Sequence, residues 1–109
     1  LSDSEPQPDL ALLEVTNYAD HLPTAEDVLL LIEVADSSAQ YDRDRKIPLY
    51  ARCGIVETWL VDLKARQMEI YREPSPMGYR TVWVRDEQDG VAPLALPEME
   101  IALGEIWRA

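Results

Sequence analysis

The stretch "LLLIEVADSS", residues 29–38, decides the fold and raises its first question. Together with Val28 it forms an apolar run of strand length, and such runs belong to strands buried on both faces. Yet Glu33 stands in the middle of it. Aspartate and glutamate are almost never fully buried unless they are paired or bind a metal. Either the end of this strand is wet, or Glu33 has a partner.

Working outward, "DLALLEV" (Asp9 to Val15) predicts a first strand and "VLLLIEVA" (Val28 to Ala35) a second, joined by the polar connection "TNYADHLPTAED". "DSSAQYDRDRK" (36–46) reads as a polar loop rich in helix-capping side chains. "IPLYARCG" reads as a short helix that Gly54 closes. Proline is tolerated only in a first helical turn, so the regular part of this helix is expected over Pro48 to Cys53, after an irregular turn. Three further strands follow: Val56 to Leu63, Gln67 to Glu73 and Tyr79 to Asp86. Met68, Ile70 and Arg72 alternate onto one face of the middle one. Leu63-Lys64-Ala65-Arg66, "PSPMG" and "EQDG" are turns, and "LALPEMEIALGEIW" ends the chain with a short strand and a short helix. Two strands, a helix and a meander predict an α+β domain with a mixed sheet.

The chain has 109 residues, 47% of them hydrophobic, which suits one small domain with a single core. No apolar run is long enough to span a membrane, and "LSDSEPQP" has no signal-peptide pattern. The absence of a starting Met leads us to expect the C-terminal portion of a longer chain. The one cysteine, Cys53, rules out an internal disulfide and fits a reducing, cytoplasmic setting; it reads as a small buried apolar residue. The formal net charge is -11, which opposes non-specific binding to phosphates. Metal ions in an acidic site, or basic residues elsewhere in a longer chain, would answer that objection.

If the first two strands form a hairpin centred on His21, Asp9 falls opposite Glu33, because paired positions then sum to 42. Adjacent carboxylates repel unless a cation lies between them, and Mg²⁺ prefers such oxygen ligands. The plain alternative is that Asp9 merely starts a strand and Glu33 lies at a wet edge. Lys46 shares a helical stripe with Leu49, Tyr50 and Cys53, facing the sheet. A lysine there either orients a nucleophile and offsets transition-state charge, or snorkels its head into water, or simply pairs with Glu33.

"QPDLALLEV", "EDVLLLIEVADSSAQYDRDRKIPLYARCGIVETWLVDL", "MEIYREPSPMGYR" and "LALPEMEIALGEIW" resemble, in this order and spacing, the bacterial Uma2 family, also called DUF820. The resemblance implies a restriction-endonuclease-like PD-(D/E)XK core, a mixed sheet with flanking helices that cuts DNA with Mg²⁺, with Mn²⁺ as a substitute. It places Asp9 and Glu33 as catalytic metal ligands. The superfamily's lysine stands two residues after the second acid, and here that residue is Ala35; the resemblance shifts the role to Lys46. It also implies an N-terminal helix carrying another acid, which precedes this stretch. A fragment without that helix is expected to need help to fold, or to form a homodimer that covers its sheet.

Ser37, Asp42, Arg43 and Tyr50 are secondary candidates; capping is the ordinary role for Ser37. "DRDRK", with Arg43 and Arg45, reads as a solvated charge run, and Glu57 as a surface residue. Trp59, Trp83 and Trp107 read as core or interface anchors. The leading expectation is a metal-dependent DNA endonuclease using Asp9, Glu33 and Lys46. Its rival is a catalytically degenerate nuclease fold that serves as a protein-interaction module, which Ala35 and the acidic charge favour.

Overall fold

In a computed structural model the described residues are 8–14, 22 and 24–107. Five strands form one sheet in the order β1-β2-β3-β4-β5: β1 (Leu10–Leu13), β2 (Val28–Ala35), β3 (Glu57–Asp62), β4 (Gln67–Ser75) and β5 (Gly78–Asp86). All neighbours are antiparallel except β2 and β3, which are parallel. Parallel neighbours need a crossover, and the helical segment after β2 supplies it. The sheet is mixed and the class α+β, as the sequence predicts.

β2 has the predicted bounds. β1 is shorter than predicted, and Val15 and His21 lie outside the described residues. The β1–β2 register is the expected one, with Leu10 opposite Ile32, Ala11 opposite Leu31 and Leu12 opposite Leu30, before a bulge at Leu12/Leu13. Asp9 lies in the bend just before β1, outside the ladder, and its carboxylate accepts the Val34 N–H; the same register continued by one residue would set it opposite Glu33.

Residues 36–46 depart from the expected loop. Helix begins at α1 (Ala39–Tyr41), widens through a π-helical turn (Asp42–Lys46) and continues into α2 (Ile47–Arg52). The Ile47 N–H donates five residues back to the Asp42 carbonyl. Pro48 explains the widening: its ring lacks an N–H and would crowd the carbonyl four residues earlier, so the turn before it opens. The charged residues hid this helix because Arg43 and Lys46, which tie it to the sheet, find partners there far away in sequence.

Gly54, with φ of +81°, ends α2 as expected. The Gly54 N–H donates to Ala51 and the Ile55 N–H to Tyr50, while the Ile55 and Tyr50 side chains pack together. This is the left-handed helix stop that glycine favours, and it anchors the turn that carries Tyr50. A Cβ on Gly54 would meet nothing within 4 Å, so Gly54→Ala should cost only the backbone penalty, about 1–2 kcal/mol. Thermal unfolding with unchanged far-UV circular dichroism checks this.

Two layers cover the sheet. On one face Leu31 packs with Ile47, Tyr50 and Ile55 beneath the helix. On the other, Leu30, Trp59, Val61, Met68 and Ile70 pack with Leu103 of the C-terminal segment. That segment holds a small hairpin, β6 (Gly90–Val91) with β7 (Ile101–Ala102), and α3 (Gly104–Trp107). β3 lies between both layers and is buried along its whole length.

Candidate active site

Glu33 lies on the helix-covered face with 0% exposure. It has two partners, which answers the opening question. The Tyr50 hydroxyl donates to Glu33 Oε2 at 2.5 Å, and Lys46 Nζ lies 3.4 Å from Oε1. β2 alternation aims Glu33 at the helix, and Lys46 and Tyr50 reach it from successive turns, four residues apart. Lys46 also lies 3.5 Å from Asp42 Oδ1, and Asp42 is buried. Asp9 is exposed at the rim, where its Oδ2 accepts the Val34 N–H at 2.7 Å.

Two carboxylates, from Glu33 and Asp42, thus flank one ammonium, with Asp9 outside them at the rim. The electrostatics reflect this excess. Burial raises the Glu33 carboxyl above its usual range, and the Tyr50 hydrogen bond and Lys46 offset this only in part. Burial works against the Lys46 charge, but the attraction of Glu33 and Asp42 outweighs it, so the ammonium is held on. The Tyr50 proton is held firmly by burial and by its bond to Glu33, with Asp42 and Asp9 adding to the effect.

The donor chemistry suits a hard divalent cation. Mg²⁺ takes one or two protein carboxylates and completes its shell with waters and substrate phosphates. Asp9, just before β1, and Glu33, on β2, are the carboxylates that would hold it. Among the described residues no group of three or more His, Cys, Asp or Glu forms a metal cluster, so an all-protein cage is not what these residues offer. Ala35 is fully buried two residues beyond Glu33 on the same face, with no room for a lysine; the cation comes instead from the helix.

Other candidates sit elsewhere. Ser37 is exposed in the bend after β2. Arg43 is not part of a solvated run: it bonds Glu69 through Nε at 2.7 Å and meets Asp62 through Nη2 at 3.2 Å. The Tyr71 hydroxyl donates to the same Glu69 carboxylate. Within "DRDRK" only Asp44 and Arg45 are exposed, because the helix turns Asp42, Arg43 and Lys46 inward. Cys53 is exposed, not buried, since it is the last residue before the Gly54 stop and α2 has there left the sheet.

Glu57 is the larger correction. It is fully buried on the opposite face. Its Oε2 accepts from Arg72 Nε at 2.7 Å and Trp59 Nε1 at 2.8 Å, and its Oε1 from the Leu94 N–H at 2.8 Å. The one available signal was its place two residues before Trp59, hence on the same face of a strand that proves central. Trp59 is core, as expected, and Trp107 packs against that core. Trp83 is 37% exposed beneath the Arg72 guanidinium, 5.1 Å from its ring centroid. No described helix is long and apolar enough to cross a membrane.

No curated protein matches the chain in a sequence search. One family model does, over residues 1–104: Uma2, whose description reads "Putative restriction endonuclease". With its mixed five-stranded sheet and flanking helices the chain has a restriction-endonuclease-like α+β fold, and it belongs to the Uma2 family.

Proposed function

We propose that the chain is a metal-dependent DNA endonuclease that hydrolyses phosphodiester bonds, with its site at Asp9, Glu33 and Lys46. One observation carries the reading: Lys46 Nζ lies 3.4 Å from the buried Glu33 carboxylate, on a strand whose register with β1, continued by one residue, would bring Asp9 opposite Glu33. Family membership supports it.

Asp9 and Glu33 would hold Mg²⁺, with Mn²⁺ as a substitute. When bound, the ion supplies Lewis-acid chemistry that offsets phosphoryl charge and makes water a better nucleophile. Tyr50 fixes the Glu33 carboxylate by binding Oε2. Lys46 retains 22% side-chain exposure, so its ammonium faces both the buried acid and the solvent from which a phosphate arrives. There it offsets the charge that develops on the phosphoryl oxygens. The net charge of -11 makes a cation between protein and DNA a requirement of this reading.

Cleavage of supercoiled plasmid in Mg²⁺ or Mn²⁺ is the test. Wild type should nick or linearise the plasmid and should stop when the metal is chelated. Lys46→Ala should be slower by about 10²-fold with its circular dichroism unchanged. Equal rates for the two proteins would remove Lys46 from the mechanism.

A second reading has its own observation. Glu33 is fully buried and both its oxygens are already engaged. An interaction module that retains only a structural Glu33–Lys46 pair would look the same without metal, and would be indifferent to Mg²⁺ and Mn²⁺.

A further inference from the structure

We propose that β5 is a self-pairing edge, by which two copies of this chain join antiparallel across a two-fold axis at Trp83 and merge their five-stranded sheets into one of ten. The inference does not depend on the catalytic reading.

The sheet has two edges. β1 is four residues long, short enough to discourage pairing, whereas β5 has nine residues and no strand on its outer side among the described residues. A long edge with apolar side chains is a ready template for another strand unless something blunts it. Three successive apolar residues of β5 are exposed: Val82 at 52%, Trp83 at 37% and Val84 at 53%. Val82 and Val84 lie opposite Tyr71 and Glu69, hence on the helix-side face. Trp83 lies opposite Ile70, on the other face. The apolar surface therefore wraps around the strand edge, where a neighbouring strand would cover it, and a single covering layer on either face would not.

The sequence identifies the occupant. The strand reads Arg80-Thr81-Val82-Trp83-Val84-Arg85-Asp86. Folded back on itself at Trp83, it sets Arg80 opposite Asp86 of the second copy, Thr81 opposite Arg85, Val82 opposite Val84 and Trp83 opposite Trp83. By symmetry each pair except the central one occurs twice. Arg80 and Asp86, which would deter an arbitrary partner, become two oppositely charged cross-strand pairs, Arg85 faces the Thr81 hydroxyl, the valines pair on one face, and the indoles meet on the other. A two-fold through a residue closes an antiparallel ladder with either alternate set of main-chain groups, so the backbone permits this register. Two copies at -11 repel each other at long range, but at about 0.15 M salt that repulsion is screened beyond roughly 8 Å.

The test is sedimentation equilibrium of the full chain at that salt concentration, with far-UV circular dichroism as the check on folding. Wild type should be a dimer at tens of micromolar. Arg80→Asp or Asp86→Arg alone places like charges opposite each other at two symmetric positions and should weaken the dimer by about tenfold or more. The two together reverse both pairs and should restore dimerisation to near the wild-type level, which also shows that the single variants had not simply misfolded. A wild type that stays monomeric into the hundreds of micromolar overturns the proposal. So does a dimer that ignores both single reversals, or a double variant no tighter than the singles.

Discussion

Glu57→Ala is expected to lower the unfolding free energy by about 3–5 kcal/mol. The carboxylate joins three donors from three parts of the fold: Trp59 within its own strand, Arg72 on β4 and the Leu94 main chain in the C-terminal segment. Removing it leaves the Arg72 guanidinium, 19% exposed, without its anion, and the indole N–H of a buried tryptophan without an acceptor. Breaking a buried pair from one side costs far more than the pair contributes, because the remaining groups stay desolvated. The loss should appear in urea as a lower midpoint with an unchanged slope. Glu57→Gln keeps an acceptor for one or two of the donors and should lose less. A Glu57→Ala protein within 1 kcal/mol of wild type would mean that water replaces the carboxylate.

Glu33→Gln, on the opposite face, should have the reverse profile. Cleavage should fall by about 10²–10³-fold, since the amide keeps the shape but not the charge that holds a cation. Stability without metal should not fall with it. Burial holds the Glu33 carboxyl above its ordinary value of about 4.3. As pH rises from there, the unfolded chain releases the proton while the native state keeps it, so this residue's contribution to stability declines up to its raised pKa and remains a cost beyond it. Glutamine removes that cost. Tyr50 retains an acceptor, and Lys46 retains Asp42 and some solvent. Wild type minus variant, measured by urea unfolding between about pH 4 and 7, should therefore fall as pH rises. A difference that grows with pH would show that Lys46 and Tyr50 more than compensate for burial, and that Glu33 is a stabilising ion-pair partner.

These two glutamates show where sequence reading succeeds and where it stops. Glu33 interrupts an apolar run, so its burial and its need for a partner were legible. The β1–β2 register followed from the spacing of the two strands about their connection, and Pro48 and Gly54 marked the limits of α2 because proline fixes φ and glycine alone readily takes the positive φ of the stop. Glu57 gave no comparable signal, since a glutamate at a strand start is ordinary on an edge strand. It is buried only because β3 became the central strand beneath the C-terminal segment, a fact of topology. Arg43 failed for a related reason: within "DRDRK" local pattern cannot tell which charges meet Glu69 and Asp62, some twenty residues away. The helical character of residues 39–46 was lost with it, because long-range ion pairs rather than apolar periodicity hold that stretch to the sheet. At Cys53 residue type alone misleads, because its exposure follows from the helix stop immediately after it.

The central claim is that Glu33, with Asp9, holds a divalent cation. Thermal unfolding of wild type and Glu33→Gln, with and without Mn²⁺, tests it most directly. An ion at about ten times its dissociation constant should stabilise the native state by about 1.4 kcal/mol, a rise in Tm of roughly 6–11 °C for a domain of this size. That rise is expected in wild type and not in Glu33→Gln. An equal response in both proteins, or no response in either, would contradict it and leave Glu33 as the buried half of an ion pair with Lys46.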